Sequence, residues 1–119
     1  MKATDAVTSL AALAQETRLS IYRLLVQAGA EGVSAGAIAE RLGVTPATLS
    51  FHLKELARAG LVTPRSESRF IYYSANYGRM TALLAYLTEN CCRGAPGECL
   101  GPQETPLASC DPRRAPDVP

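Results

Sequence analysis

Three thiols fall within nine residues, in the run Cys91-Cys92-Arg93-Gly94-Ala95-Pro96-Gly97-Glu98-Cys99. Thiolates select soft, thiophilic ions. The intervening loop holds two glycines and a proline, so it can turn back and bring the third sulfur to the first two. Trivalent arsenic or antimony forms three bonds to sulfur and keeps a lone pair, so three thiolates complete its shell. A methylated arsenical needs only two, for which Cys91 and Cys92 suffice. Cys110 is the fourth thiol, eleven residues beyond Cys99. With it, a four-sulfur site would suit zinc or cadmium. Two other readings stand beside ion binding. One is a disulfide switch pairing Cys91 or Cys92 with Cys99. The other is a set of thiols without function.

The cluster lies at a break in composition. Residues 1–92 read as a winged helix-turn-helix DNA-binding and dimerisation domain. Residues 93–119 carry six prolines and few large apolar groups, and are expected to form a flexible tail that holds part of the inducer site. No run of 18 apolar residues exists, so no transmembrane span is expected. The N-terminal stretch reads as an amphipathic helix rather than a signal peptide, and the chain as cytoplasmic. About 90 residues is near the size where a monomer's core becomes marginal, which a shared dimer core would relieve.

Net charge is +1, but residues 41–70 alone hold +3. That block overlaps the end of the segment SAGAIAERLGVTPATLSFHLKEL and runs on through the residues that follow it. Two short helices are expected in that segment, meeting at Leu42-Gly43-Val44. Ser34 and Thr45 are the expected caps, with Pro46 at the first helical position of the second. Ile38, Leu42, Val44, Leu49, Leu53 and Leu56 would pack the pair together. The exposed side then offers Thr45, Ala47, Thr48, Ser50, Phe51, His52 and Lys54 to phosphates and base edges. His52, the sole histidine, could instead pack at the hydrophobic edge; the DNA-side or surface position is favoured.

The remaining elements frame this pair. Helices are expected from Thr4 and from Thr17, with Val7, Leu10, Ala11 and Leu13 forming the apolar stripe of the first. Leu19, Ile21, Leu24, Leu25 and Ala28 form that of the second. After Gly60 the period changes to two short β-prone runs, LVTPRSE and SRFIYYSA. Their tip is expected at Arg65-Ser66-Glu67-Ser68, with Arg65 and Arg69 touching phosphate or minor groove beside the reading head. Asn76 opens a last helix, with Met80, Leu83, Leu84 and Leu87 on one face. The fold class is mainly α with a small β-hairpin, a dimeric winged helix-turn-helix. The bland alternative is a helical hairpin with no DNA role.

Leu13 to Ile21 (LAQETRLSI), Thr48 to Leu56 (TLSFHLKEL), Gly60-Leu61-Val62 and Tyr72-Tyr73 resemble the ArsR/SmtB family of metalloregulatory repressors. The resemblance covers about residues 5–90. It implies a homodimer joined through its first and last helices, binding operator double-stranded DNA when free and releasing it when an inducer binds. Two of the family's site types are absent. Gly36 to Glu40 holds no Cys-x-Cys, and Asn76 to Asn90 holds no His or Asp. A subset of the family places an arsenite site at this C-terminal position, which implies Cys91, Cys92 and Cys99 as ligands. The inducer is then As(III) or Sb(III), inorganic or methylated, with no constitutive cofactor. A thiol enzyme or metallochaperone is disfavoured, because no general base or anion loop accompanies Cys91.

Overall fold

A computed structural model describes residues 1–94. Helices α1 (Ala3–Leu13), α2 (Glu16–Ala28), α3 (Ala35–Leu42) and α4 (Pro46–Arg58) precede strands β2 (Val62–Glu67) and β3 (Phe70–Ala75). Helix α5 spans Tyr77–Leu87, and a 3-10 turn covers Cys91–Gly94. A two-residue strand β1 (Val33–Ser34) was not expected from the sequence. It pairs antiparallel with β3, making a three-stranded sheet in the order β1-β3-β2. This is the expected mainly helical plan with a β wing. Among the described residues, no helix is long and apolar enough to cross a membrane.

The caps of the central pair are local chemistry. Ser34 Oγ accepts from the N–H of Ala37 and Thr45 Oγ1 from that of Thr48. Gly43 sits at φ 67°, the left-handed conformation that ends α3 and turns the chain into α4. The first two helices each start one residue earlier than expected. Helix α1 starts at Ala3, one residue before Thr4. Helix α2 starts at Glu16, one residue before Thr17, and its cap is Gln15, whose Oε1 accepts from the N–H of Arg18 at 2.8 Å.

The first 83 residues form one compact unit. Ile21, Leu25, Ile38, Leu49, Leu53, Leu56 and Leu61 make its core. Leu19 and Ala28, expected on the buried stripe of α2, are exposed. The larger correction concerns α1, which buries Ala6, Ser9 and Ala12 against α2 and α4. Val7 and Leu10 remain 65% and 43% exposed. Small side chains let α1 lie close to its neighbours, while Val7 and Leu10 face outward and Leu13 packs against the core.

The hairpin also closes later than expected. Pairing runs from Val62 with Ala75 to Glu67 with Phe70, so the turn is Ser68-Arg69, with Ser68 at φ 58°. At the base, the backbone N–H of Asn76 donates to Leu61 O at 2.8 Å. Asn76 Nδ2 donates to Gly60 O, and Asn76 Oδ1 accepts from the N–H of Arg79. Asn76 thus caps α5, as expected, and also ties it to the root of the hairpin.

Candidate nucleic-acid interface

Helix α4 divides cleanly by periodicity. Leu49, His52, Leu53 and Leu56 point inward. Ala47, Thr48, Ser50, Phe51 and Lys54 are exposed, with Thr45 just before them. Ala47, Ser50, Phe51 and Lys54 recur at intervals of three and four, which places them on one face. Small groups at the N-terminal end leave room for a duplex groove, and Lys54 adds charge one turn on. Thr45 Oγ1 also donates to the Thr48 hydroxyl at 2.9 Å. Both hydroxyls are therefore held at the helix start. Phe51 stands 58% exposed, a large apolar group with nothing on the described residues covering its outer face.

His52 does not join this face. It is 9% exposed, and its Nδ1 lies 3.4 Å from Arg18 Nη1. Its ring meets Phe51 edge-on at 5.4 Å between centroids. The DNA-side placement is corrected: His52 occupies the apolar stripe between Leu49 and Leu56. That register was present in the sequence at i, i+3, i+4 and i+7.

The wing adds charge, though not in the symmetrical way expected. Arg69 is exposed in the two-residue turn itself. Arg65 lies in the middle of β2, opposite Tyr72. Its guanidinium sits 5.1 Å from the Tyr72 ring centroid and donates to Glu31 O at 3.3 Å. Glu67 Oε1 lies 3.5 Å from it. Arg65 is thus braced within the wing, while Arg69 points to solvent. Exposed Phe70 and Ile71 on β3 were not singled out from the sequence, although their place next to the turn could have flagged them. Ile71 and Tyr73 share a shallow groove with Gly36, Pro46 and Ser50, which sets the wing beside the start of α4.

The described part of the cysteine cluster follows α5. The Cys91 N–H donates to Thr88 O at 2.9 Å, and Cys92 has φ 53°. Cys91 is a free thiol and Cys92 is disulfide-bonded. Their sulfurs lie 3.6 Å apart. Among the described residues, no group of three His, Cys, Asp or Glu is placed to hold a metal ion. Cys99 and Cys110 lie outside the described residues.

Residues 13–65 match a family model described as a helix-turn-helix domain. An uncharacterised HTH-type transcriptional regulator of Bacillus subtilis, YceK, is 41% identical over 53% of this chain and 62% of its own length. The nodulation protein NolR of Rhizobium meliloti is 34% identical, and the chain spans 63% of it. The chain thus spans about three-fifths of each of these two relatives. The arsenical resistance operon repressor of B. subtilis is 35% identical over 74% of this chain and 83% of its own. Among solved structures, an ArsR-like transcriptional regulator from Rhodococcus superposes with a TM-score of 0.65 at 30% identity, covering 81% of this chain and 85% of that one. A homodimeric winged helix-turn-helix DNA-binding domain from Mycobacterium bovis gives 0.58 at 31% identity, covering 73% and 81%. YceK, the arsenical operon repressor and the Rhodococcus protein are all named as transcriptional regulators or repressors. With the helix pair, the wing and these likenesses in agreement, the chain belongs to the ArsR/SmtB family of helix-turn-helix transcriptional regulators.

Proposed function

We propose that the chain acts as a cytoplasmic homodimeric repressor that binds operator double-stranded DNA and leaves it when trivalent arsenic or antimony occupies its C-terminal cysteines. The observation that carries the DNA half is the exposed face of α4, with Thr45, Ala47, Thr48, Ser50, Phe51 and Lys54 beside the solvent-facing Arg69 of the wing. In a dimer, two such faces would enter successive major grooves about 34–36 Å apart. Val7 and Leu10 on the outer face of α1 supply an apolar surface for a second copy. The homodimeric M. bovis domain supports that assembly.

The inducer half rests on donor chemistry. An ion bonded to two sulfurs at about 2.3 Å each, at a near-tetrahedral angle, spans about 3.5–3.8 Å between them. The Cys91 and Cys92 sulfurs are 3.6 Å apart. Cys99 would complete a three-sulfur set, and the arsenical operon repressor among the relatives agrees with that ion class. Cys92 must be reduced to serve. An ion held there acts directly on the end of α5, and a coupling of about 1–3 kcal/mol is typical of such switches.

The disulfide at Cys92 favours a second reading, in which oxidation of the same thiols is the signal. One experiment separates the two. The reduced dimer is bound to duplex DNA from upstream of its own coding sequence. It is then titrated with arsenite, antimonite, methylarsenite, cadmium and zinc, and in parallel with a mild thiol oxidant. Release by arsenite or antimonite under reducing conditions supports ion sensing. Release by oxidant alone supports the redox reading, and release by cadmium or zinc alone a four-sulfur site.

A further inference from the structure

Arg18 connects three helices with one side chain. It belongs to α2, and its Nε donates to Ala12 O in the last turn of α1 at 2.6 Å. Its Nη1 lies 3.4 Å from His52 Nδ1 in α4. A guanidinium only donates, so a hydrogen bond across this distance has Nδ1 as its acceptor and the ring proton on Nε2. Among the described residues, His52 has no other polar contact.

Helix α1 needs such a tie. Its inward residues are Ala6, Ser9 and Ala12, and the Ser9 hydroxyl is buried without a hydrogen-bond partner. Small groups like these set a close approach but grip weakly against sliding or rotation. Arg18 fixes the end of α1 through its carbonyl and reaches the reading helix in the same span. From the geometry we infer that Arg18 and His52 are positioning residues for operator binding: their contact sets the pose of α4 against α1, the helix whose outer face awaits a second copy. This rests on the regulatory reading above.

The strut carries a pH signature. The cleft beside it receives Val7, Thr8, Ala11 and Ala12 from α1, none titratable, and Arg18 from α2. Helix α4 adds Glu55 and Arg58, bonded to each other at 2.8 Å. Among the described residues, neither α3 nor the sheet places a charged group in hydrogen-bond contact with His52. A proton on Nδ1 would turn the acceptor into a donor and set imidazolium against guanidinium, with the nearby carboxylate already engaged by Arg58. Acid therefore weakens the strut.

The test is operator affinity, measured by fluorescence anisotropy on the full chain with its own upstream duplex, at about pH 8 and about pH 5.5, which bracket the usual range of imidazole titration. In His52→Asn the side-chain oxygen stands where Nδ1 stood and cannot be protonated. The parent should lose about tenfold between the two pH values, the scale of one charged hydrogen bond. His52→Asn should keep the parent's affinity at the higher pH and lose the acid fall. Arg18→Lys, unable to make both bonds, should bind about tenfold more weakly at the higher pH, with its circular dichroism unchanged. The inference is overturned if His52→Asn falls with acid as the parent does, or if folded Arg18→Lys binds like the parent. Should Arg18→Lys not fold, the pH comparison of parent and His52→Asn decides alone. A parent that binds no upstream duplex at either pH overturns the regulatory reading itself, and the strut's role with it.

Discussion

Arg65 and Tyr72 are partners across the two strands of the wing, the guanidinium carbon 5.1 Å from the ring centroid. A cation over an aromatic face is worth about 0.5–1 kcal/mol at an exposed site. Arg65 therefore serves the wing's own structure, and the two wing arginines separate by experiment. Arg69→Ala should weaken operator binding on every sequence and lower the slope of log affinity against log salt by about 1. Arg65→Ala should change that slope less and lower the melting temperature more. Salt titrations and thermal melts of the two variants check this. Equal slopes would place Arg65 on phosphate after all.

The reading face of α4 should be separable from its packing face. Ser50→Glu or Lys54→Glu puts a negative charge where phosphates approach, with both positions exposed. Operator binding should be lost while the melt stays within about 0.5 kcal/mol of the parent, as for other surface changes. Retained binding in either variant would move the reading head elsewhere.

Sensing should need three thiols. Ser at Cys91, Cys92 or Cys99 should leave a dimer that binds DNA and no longer releases it with arsenite. Ser at Cys110 should respond like the parent, because reaching it closes a longer loop than reaching Cys99. Truncation after Leu100 should keep the arsenite response; its loss with DNA binding intact would bring the distal segment into the sensor.

Tyr22 is buried, and its phenol is pushed up to about 12, first by burial and then by Tyr77. The folded chain holds this proton where the unfolded chain gives it up. The associated stability is present below about pH 10, the ordinary tyrosine value, and is lost as pH rises toward 12. Its hydroxyl has no hydrogen-bond partner, so Tyr22→Phe should fold well. Denaturant melts between about pH 9 and 12 should fall less steeply in that variant than in the parent. Parallel curves would remove Tyr22 from the alkaline transition.

What could be read from the sequence was what local chemistry decides. Ser34, Gly43, Thr45 and Pro46 act within a few residues of themselves, so the helix pair is legible from its spelling. What escaped depends on distant partners. Strand β1 is two residues long and exists because β3 lies beside it. His52 is held inward by a residue 34 positions away, although the stripe 49-52-53-56 already marked its side of the helix. The turn at Ser68-Arg69 adopts a positive φ without glycine, so the usual cue was missing. On α1 the stripe Val7, Leu10, Ala11 and Leu13 suggested Val7 and Leu10 for the core face. A close helix approach reversed that, and periodicity alone does not say which side touches the rest of the fold. Two of the four cysteines lie within the described residues, so the thiol reading stands as chemistry awaiting its titration.

The Asn76 clamp has a consequence for how this architecture can diversify. One amide holds both the root of the hairpin and the first turn of α5, so the two must keep step. Beyond Val62, the residues of β2 are all exposed out to the turn. Lengthening or shortening the wing there by one residue on each strand leaves the clamp and the buried root untouched, and side-chain alternation is restored with every second such step. The reach of Arg69 is thus an adjustable dimension, variable without re-engineering the helices, whereas an insertion between Gly60 and Val62 or at Asn76 would throw the last helix out of register with the rest.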